Sequence, residues 1–159
     1  MVSATTTQRA RKASPMYKPA SLIRTFFILL ICFSFHKASV AQCDTIAKIC
    51  NKNIRIPFVS DGQSYRSLLL NDQSAEFQTT FYGGATYRVA GCTFGSETGL
   101  NFTLYDKDRN VLFTNKDQKN APYWDFKVSS TLDCIIEANL NPASGRSSGC
   151  AVILIGFKQ

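Results

Sequence analysis

Histidine is nearly missing from this sequence: the 159-residue chain has one, His36. It lies ahead of a cut expected after Ala41, so the remainder of the chain has none. Mechanisms that set an imidazole beside a serine or cysteine, and zinc sites built on histidine, are excluded there. Long apolar runs are missing too. The main one, from Phe26 to Phe35, has ten residues between Arg24 and His36, against the roughly 20 that span a bilayer.

A short apolar run preceded by Arg9, Arg11, Lys12, Lys18 and Arg24, and followed by Ser39 and Ala41 at the −3 and −1 positions, reads as a secretory signal peptide over 1–41. Starting at Met16 gives that leader an ordinary length. Lipidation is rejected because Cys43 follows Gln42 and Cys32 lies inside the apolar run. Residues 42–159 then form a single secreted or periplasmic domain with no membrane span after cleavage.

A basic stripe is the next absence. The net charge of +7 comes mostly from the leader, since residues 42–159 hold 12 of the 18 basic residues and all 11 acidic ones, a net of +1. The remaining cations are scattered, which argues against a nucleic-acid partner.

Five cysteines stay in the exported part: Cys43, Cys50, Cys92, Cys134 and Cys150. Exported chains oxidise, so two disulfides and one leftover thiol are expected, in any of 15 arrangements. If Asp44 caps a short helix over 45–49, Cys43 and Cys50 stand about 10 Å apart along its axis, too far to pair with each other. At least one would then staple this segment to the sheets. If the segment is irregular, they can pair. Cys92 with Cys134 is the first choice for a structural bridge. Zinc is disfavoured because no Cys-x-x-Cys pair occurs.

The rest of the chain alternates apolar and polar residues in short runs separated by turn residues, which predicts strands at 54–59, 65–70, 75–82, 86–92, 100–105, 111–114, 123–128, 132–140 and 150–157. In the third, Ala75, Phe77, Thr79 and Phe81 share one face. The last run, Ala151 to Ile155, is apolar throughout and predicts a central strand covered on both sides. The expected fold is all-β: an antiparallel, jelly-roll-like β-sandwich with a short N-terminal helical or irregular segment.

Tyr87-Arg88-Val89, Asn101-Phe102-Thr103-Leu104-Tyr105-Asp106, Asn110-Val111-Leu112, Trp124-Asp125-Phe126 and Ala151-Val152-Ile153-Leu154 together resemble the strand pattern of prepeptidase C-terminal-type domains, over roughly residues 75–158. These are jelly-roll sandwiches that accompany secreted bacterial hydrolases. The resemblance implies a noncatalytic accessory or binding module; the family does not require these cysteines.

Three constellations are candidates for chemistry. Asp106, Asp108 and Asn110, with Asp117 at the twelfth place, follow the opening of a calcium loop. Val111 stands where that loop needs glycine, and a hairpin turn with solvated charges is the favoured reading. Calcium is the one cofactor suggested. Tyr82, Tyr105, Tyr123 and Trp124 are candidates for stacking a sugar ring; Tyr82 and Tyr105 fall on the wet phase of their strands, whereas Trp124 is in phase with Phe126 and Val128 and reads as core. The carboxylates Asp61, Asp72, Glu76, Glu97, Asp125, Asp133 and Glu137 sit in no apolar context that would raise a pKa for acid catalysis. Asn101-Phe102-Thr103 is a glycosylation sequon.

No catalytic set is legible. The function expected is noncatalytic binding of a carbohydrate or a protein surface outside the cytoplasm. The alternatives are a structural or envelope-associated protein without a small ligand and an unrecognised hydrolase. An aromatic patch on a concave face, a self-associating apolar surface and a deep pocket with convergent carboxylates distinguish the three.

Overall fold

The computed structural model describes residues 38–158; the leader expected over 1–41, apart from the backbone of 38–41, lies outside them. The chain enters as helix α1, Ala38–Cys50. Cys43, Ile46 and Cys50 recur at helical spacing, so all three fall on one buried stripe. Asp44 does not cap this helix but stands within it and pairs with Arg66. A 3₁₀ turn, Asn51–Asn53, follows.

Eight strands come next: β1 Val59–Leu70, β2 Ser74–Phe81, β3 Thr86–Cys92, β4 Leu100–Asp106, β5 Val111–Thr114, β6 Tyr123–Lys127, β7 Leu132–Leu140 and β8 Ser148–Lys158. They pair antiparallel into two four-stranded sheets, ordered β1-β8-β3-β6 and β2-β7-β4-β5. Successive strands cross between the sheets except at the β4–β5 hairpin, which stays within the second sheet, and the order is the nested one of an eight-stranded jelly roll. The expected strand at 54–59 does not form on its own. Pro57 has no N–H to give to a ladder there, and β1 starts only at Val59.

Alternation builds two cores. Inward residues of both sheets, among them Leu69, Phe81, Val89, Phe102, Ile136 and Ile153, fill the sandwich, and each such side chain contributes about 1.5–3 kcal/mol through burial. The outward residues Ala90 and Cys92 of β3 and Cys150, Val152 and Leu154 of β8 are covered by Cys43, Ile46 and Cys50 of α1. β8 is therefore buried on both faces, as its unbroken apolar run predicts.

The same alternation decides the disulfides. Cys43 joins Cys150 and Cys50 joins Cys92, with Cα separations of 5.4 and 5.7 Å. Both bridges tie α1 to the outer face of the first sheet. The expected bridge between Cys92 and Cys134 is wrong: Cys92 points outward to the helix, while Cys134 points into the sandwich core and stays a free, buried thiol. A strand that turns alternate residues to opposite faces cannot bring these two together. Burial, with Asp106 and Asp133 adding repulsion, pushes the Cys134 thiol up to about 11. Among the described residues no helix is long and apolar enough to cross a membrane.

Candidate functional site

The four aromatic candidates are not brought together. Tyr123 lies on the outer face of the first sheet, where the Arg88 guanidinium sits 4.3 Å from its ring centre and 4.2 Å from that of Phe58. Arg88 is held there by Asp125, which accepts from its Nε at 2.7 Å and its Nη2 at 2.9 Å. Tyr105 belongs to the other sheet, on β4; partial burial and neighbouring Glu137 raise its pKa. Tyr82 follows β2 and donates its backbone N–H to the Tyr87 hydroxyl at 2.9 Å.

Trp124 has the inward phase expected of it, but it is 38% exposed. β6 is an edge strand, so this indole lies at the open seam of the sandwich, stacked on Phe113 of β5 at 5.4 Å between ring centres. It closes the seam instead of sitting in the core.

Asp106, Asp108 and Asn110 form the β4–β5 turn. The Asp106 carboxylate accepts from the Asn110 side chain and backbone, each at 2.8 Å, and from the Asp108 N–H at 2.9 Å, and these bonds hold its pKa below the usual carboxylate range. Arg109 adopts φ 66° at the turn and reaches across to Glu76. Asp117 stands on a separate 3₁₀ turn, Asn115–Gln118. Among the described residues, no group of three or more His, Cys, Asp and Glu is placed to hold a metal ion.

Most of the candidate carboxylates are engaged at the surface: Glu76 by Arg109, Glu97 by Lys52, Asp125 by Arg88, and Asp133 by the Thr80 hydroxyl. Asp61 overturns the expectation that none sits in a context that raises its pKa. Although Asp61 is exposed, partial desolvation against neighbouring protein atoms raises its carboxyl, and the Gln63 N–H pulls the other way. The sequon is sealed, with Asn101 only 4% exposed.

A site that the alternation pattern misses lies at the helix end of the molecule. After Cys92 the chain reverses in a tight turn closed by a bridge between Thr93 and Ser96. Gly95 takes φ 74° at the bend, and Phe94 stands at the tip, 60% exposed. The turn is pinned from several sides: Cys92 is tied to Cys50, Glu97 pairs with Lys52, and Asn141 donates its side-chain amide to the Thr98 carbonyl at 2.9 Å. The Arg146 guanidinium lies 5.6 Å from the Phe94 ring centre.

Phe94 divides two shallow clefts of about 310 and 370 Å³. One continues over Ile46 to Leu68, 46% exposed, and the other to Ile49, 53% exposed. Three large apolar side chains are thus presented together around a cross-linked helix. The signal in the sequence is an aromatic followed by glycine between two short hydroxyl residues, Thr93-Phe94-Gly95-Ser96, the composition of a tight turn with glycine at the positive φ.

No family model matches this chain, and no curated protein matches it. Among solved structures, the chain is similar to PliG of Aeromonas hydrophila, a periplasmic lysozyme inhibitor of g-type lysozyme, at 12% identity and a TM-score of 0.47, over 65% of this chain and 90% of that one.

Proposed function

We propose that this chain is a noncatalytic module that works outside the cytoplasm by binding the surface of another protein, and that it does so through the apolar patch centred on Phe94. The observation that carries the reading is the pinned turn holding Phe94 out into solvent between Ile49 and Leu68. An aromatic anchor on a preorganised loop loses little entropy on docking, and burying it is worth about 1.5–3 kcal/mol. The partner chemistry follows from the rim. Arg146 lies over Phe94 and makes no ion pair among the described residues, so the complementary surface is an apolar pocket flanked by carboxylates.

Two disulfides fit an oxidising compartment, and the resemblance to accessory jelly-roll domains supports a role without catalysis. Dispersal of the aromatics weighs against a sugar-stacking platform. The test is a photo-crosslinking residue at Ile49, with Tyr105 as control, in cells that export the protein. A covalent adduct to one other polypeptide from position 49 alone is expected, and Phe94→Ser should weaken binding to that purified partner at least about tenfold. An adduct only to a second copy would establish the structural alternative. No adduct, or undiminished binding by Phe94→Ser, would end the proposal.

A further inference from the structure

At the opposite end of β3 from Phe94 is a cleft of about 620 Å³. It opens on the seam where β1 and β2, the edge strands of the two sheets, face each other. Tyr65 and Phe77, 5.7 Å apart between ring centres, close that seam further along. Toward the start of β1 and the end of β2 the cleft begins, lined by Phe81, Tyr82, Tyr87 and Phe157 and by one charged residue, Asp61.

A bulge puts Asp61 there. Ser60 pairs with Gly156 and Ser64 with Leu154, so Asp61, Gly62 and Gln63 stand opposite the single residue Ile155. Gly62 takes φ 81° to allow it, and the bulge is tied by the Gln63 N–H donating to Asp61 Oδ1 at 2.8 Å. Irregularities of this kind re-aim a side chain at a chosen place. Asp61 itself stays exposed, at the lip of a largely aromatic cleft. No lysine or arginine lines it, and Asp61 makes no ion pair among the described residues.

We propose that this cleft binds an alkylammonium group, with Asp61 as its counter-charge and the aromatic side chains around its carbon stem. A carboxylate among aromatic rings is the complement of a cation carried on an apolar chain. A sugar fits less well, because the backbone donors at the rim are spent. Tyr82 N–H goes to the Tyr87 hydroxyl, Gly83 N–H to Thr131 Oγ1 and Gly84 N–H to the Val128 carbonyl. The raised pKa of Asp61 supports the reading, since a carboxylate left without a counter-charge in a partly shielded place holds its proton more tightly. The other titratable groups lining the cleft are Tyr82 and Tyr87. This site is independent of the Phe94 patch.

The experiment follows the ring resonances of Tyr82 and Tyr87 at pH 7 during titration with n-butylammonium, n-butanol, methyl glucoside and a capped Gly-Lys-Gly peptide. The ammonium should half-saturate at about a tenfold lower concentration than the alcohol. Asp61→Asn, which keeps the oxygen that accepts from Gln63, should erase that difference without changing the fold, and so should lowering the pH through the Asp61 pKa. Phe94→Ser should leave it intact. Response to the peptide as well as the amine identifies a lysine side chain as the cargo, and response to the amine alone a free amine. Equal affinity for ammonium and alcohol, retention of the difference in Asp61→Asn, or tighter binding of the glucoside would overturn the proposal.

Discussion

The side-chain oxygen of Asn115 accepts the backbone N–H of Phe102 at 2.9 Å, while its amide donates to the carbonyls of Leu100 and Ala121 at 3.0 and 3.1 Å. β5 has ended one residue earlier, so a fully buried amide continues the edge of the second sheet where the backbone has turned away. It satisfies β4 groups that would otherwise be buried without partners. Asn115→Ala should therefore cost about 2–4 kcal/mol, because it strands several polar groups at once. Denaturant unfolding measures it, and a loss below about 0.5 kcal/mol, the range of a neutral surface change, would show that water replaces the amide.

Cysteine chemistry gives a second test. Peptide mapping without reduction should recover Cys43 with Cys150 and Cys50 with Cys92. Cys134, buried and with its thiol raised to about 11, should resist alkylation at pH 8 until the protein is unfolded. Replacing Cys43 and Cys150 together opens a loop spanning 107 residues and should cost about 4–5 kcal/mol by chain entropy. Recovery of a peptide joining Cys92 to Cys134 would contradict the packing described above.

Asp61 should be a stability liability. Its folded pKa is raised, so the native state holds that proton more tightly than the unfolded chain, and this group's contribution grows as pH falls through the folded pKa. Asp61→Asn should be more stable than the parent at pH 7, with the gap closing on acidification. Glu76, Glu97 and Asp106 have lowered pKa values and act in the opposite sense: their contributions are present above the unfolded carboxylate range and fade as pH falls through their folded values. They are common to both proteins and cancel in the difference. A parent more stable than the variant at pH 7 would contradict this assignment.

The Phe94 turn separates binding from folding. Phe94→Ser removes an exposed ring and should change stability by no more than about 0.5 kcal/mol. Gly95→Ala places a methyl group at φ 74°, against the flexible end of Arg146, and should cost about 1 kcal/mol or more through the strained backbone. Thermal unfolding of the two variants, beside their partner affinities, checks the separation. Equal destabilisation by both would make Phe94 a packing residue.

Much of the architecture is local in origin and could be read from residue order. Period-two alternation in Ala75 to Phe81 and Cys134 to Leu140 sets which side of each strand is buried. The unbroken run at Ala151 to Ile155 foretells a strand covered twice, and the spacing of Cys43 and Cys50 rules out a bridge between them once the segment is helical.

Whatever depends on which strands become neighbours was settled by tertiary structure. Cys92 and Cys134 look alike as cysteines within strands, but the phase of one faces the helix and that of the other the core. Trp124 has the phase of a core residue and is half open because its strand lies at an edge. Asp61 reads as one more carboxylate without an apolar context, and it stays exposed, but the pairing of β1 with β8 places it in a bulge and β2 brings an aromatic wall beside it. The sequence by itself determined periodicity and turns, which arise between near neighbours. Bridges, exposure and sites arise between residues far apart in the chain, and only the closing of one sheet over the other brought those together.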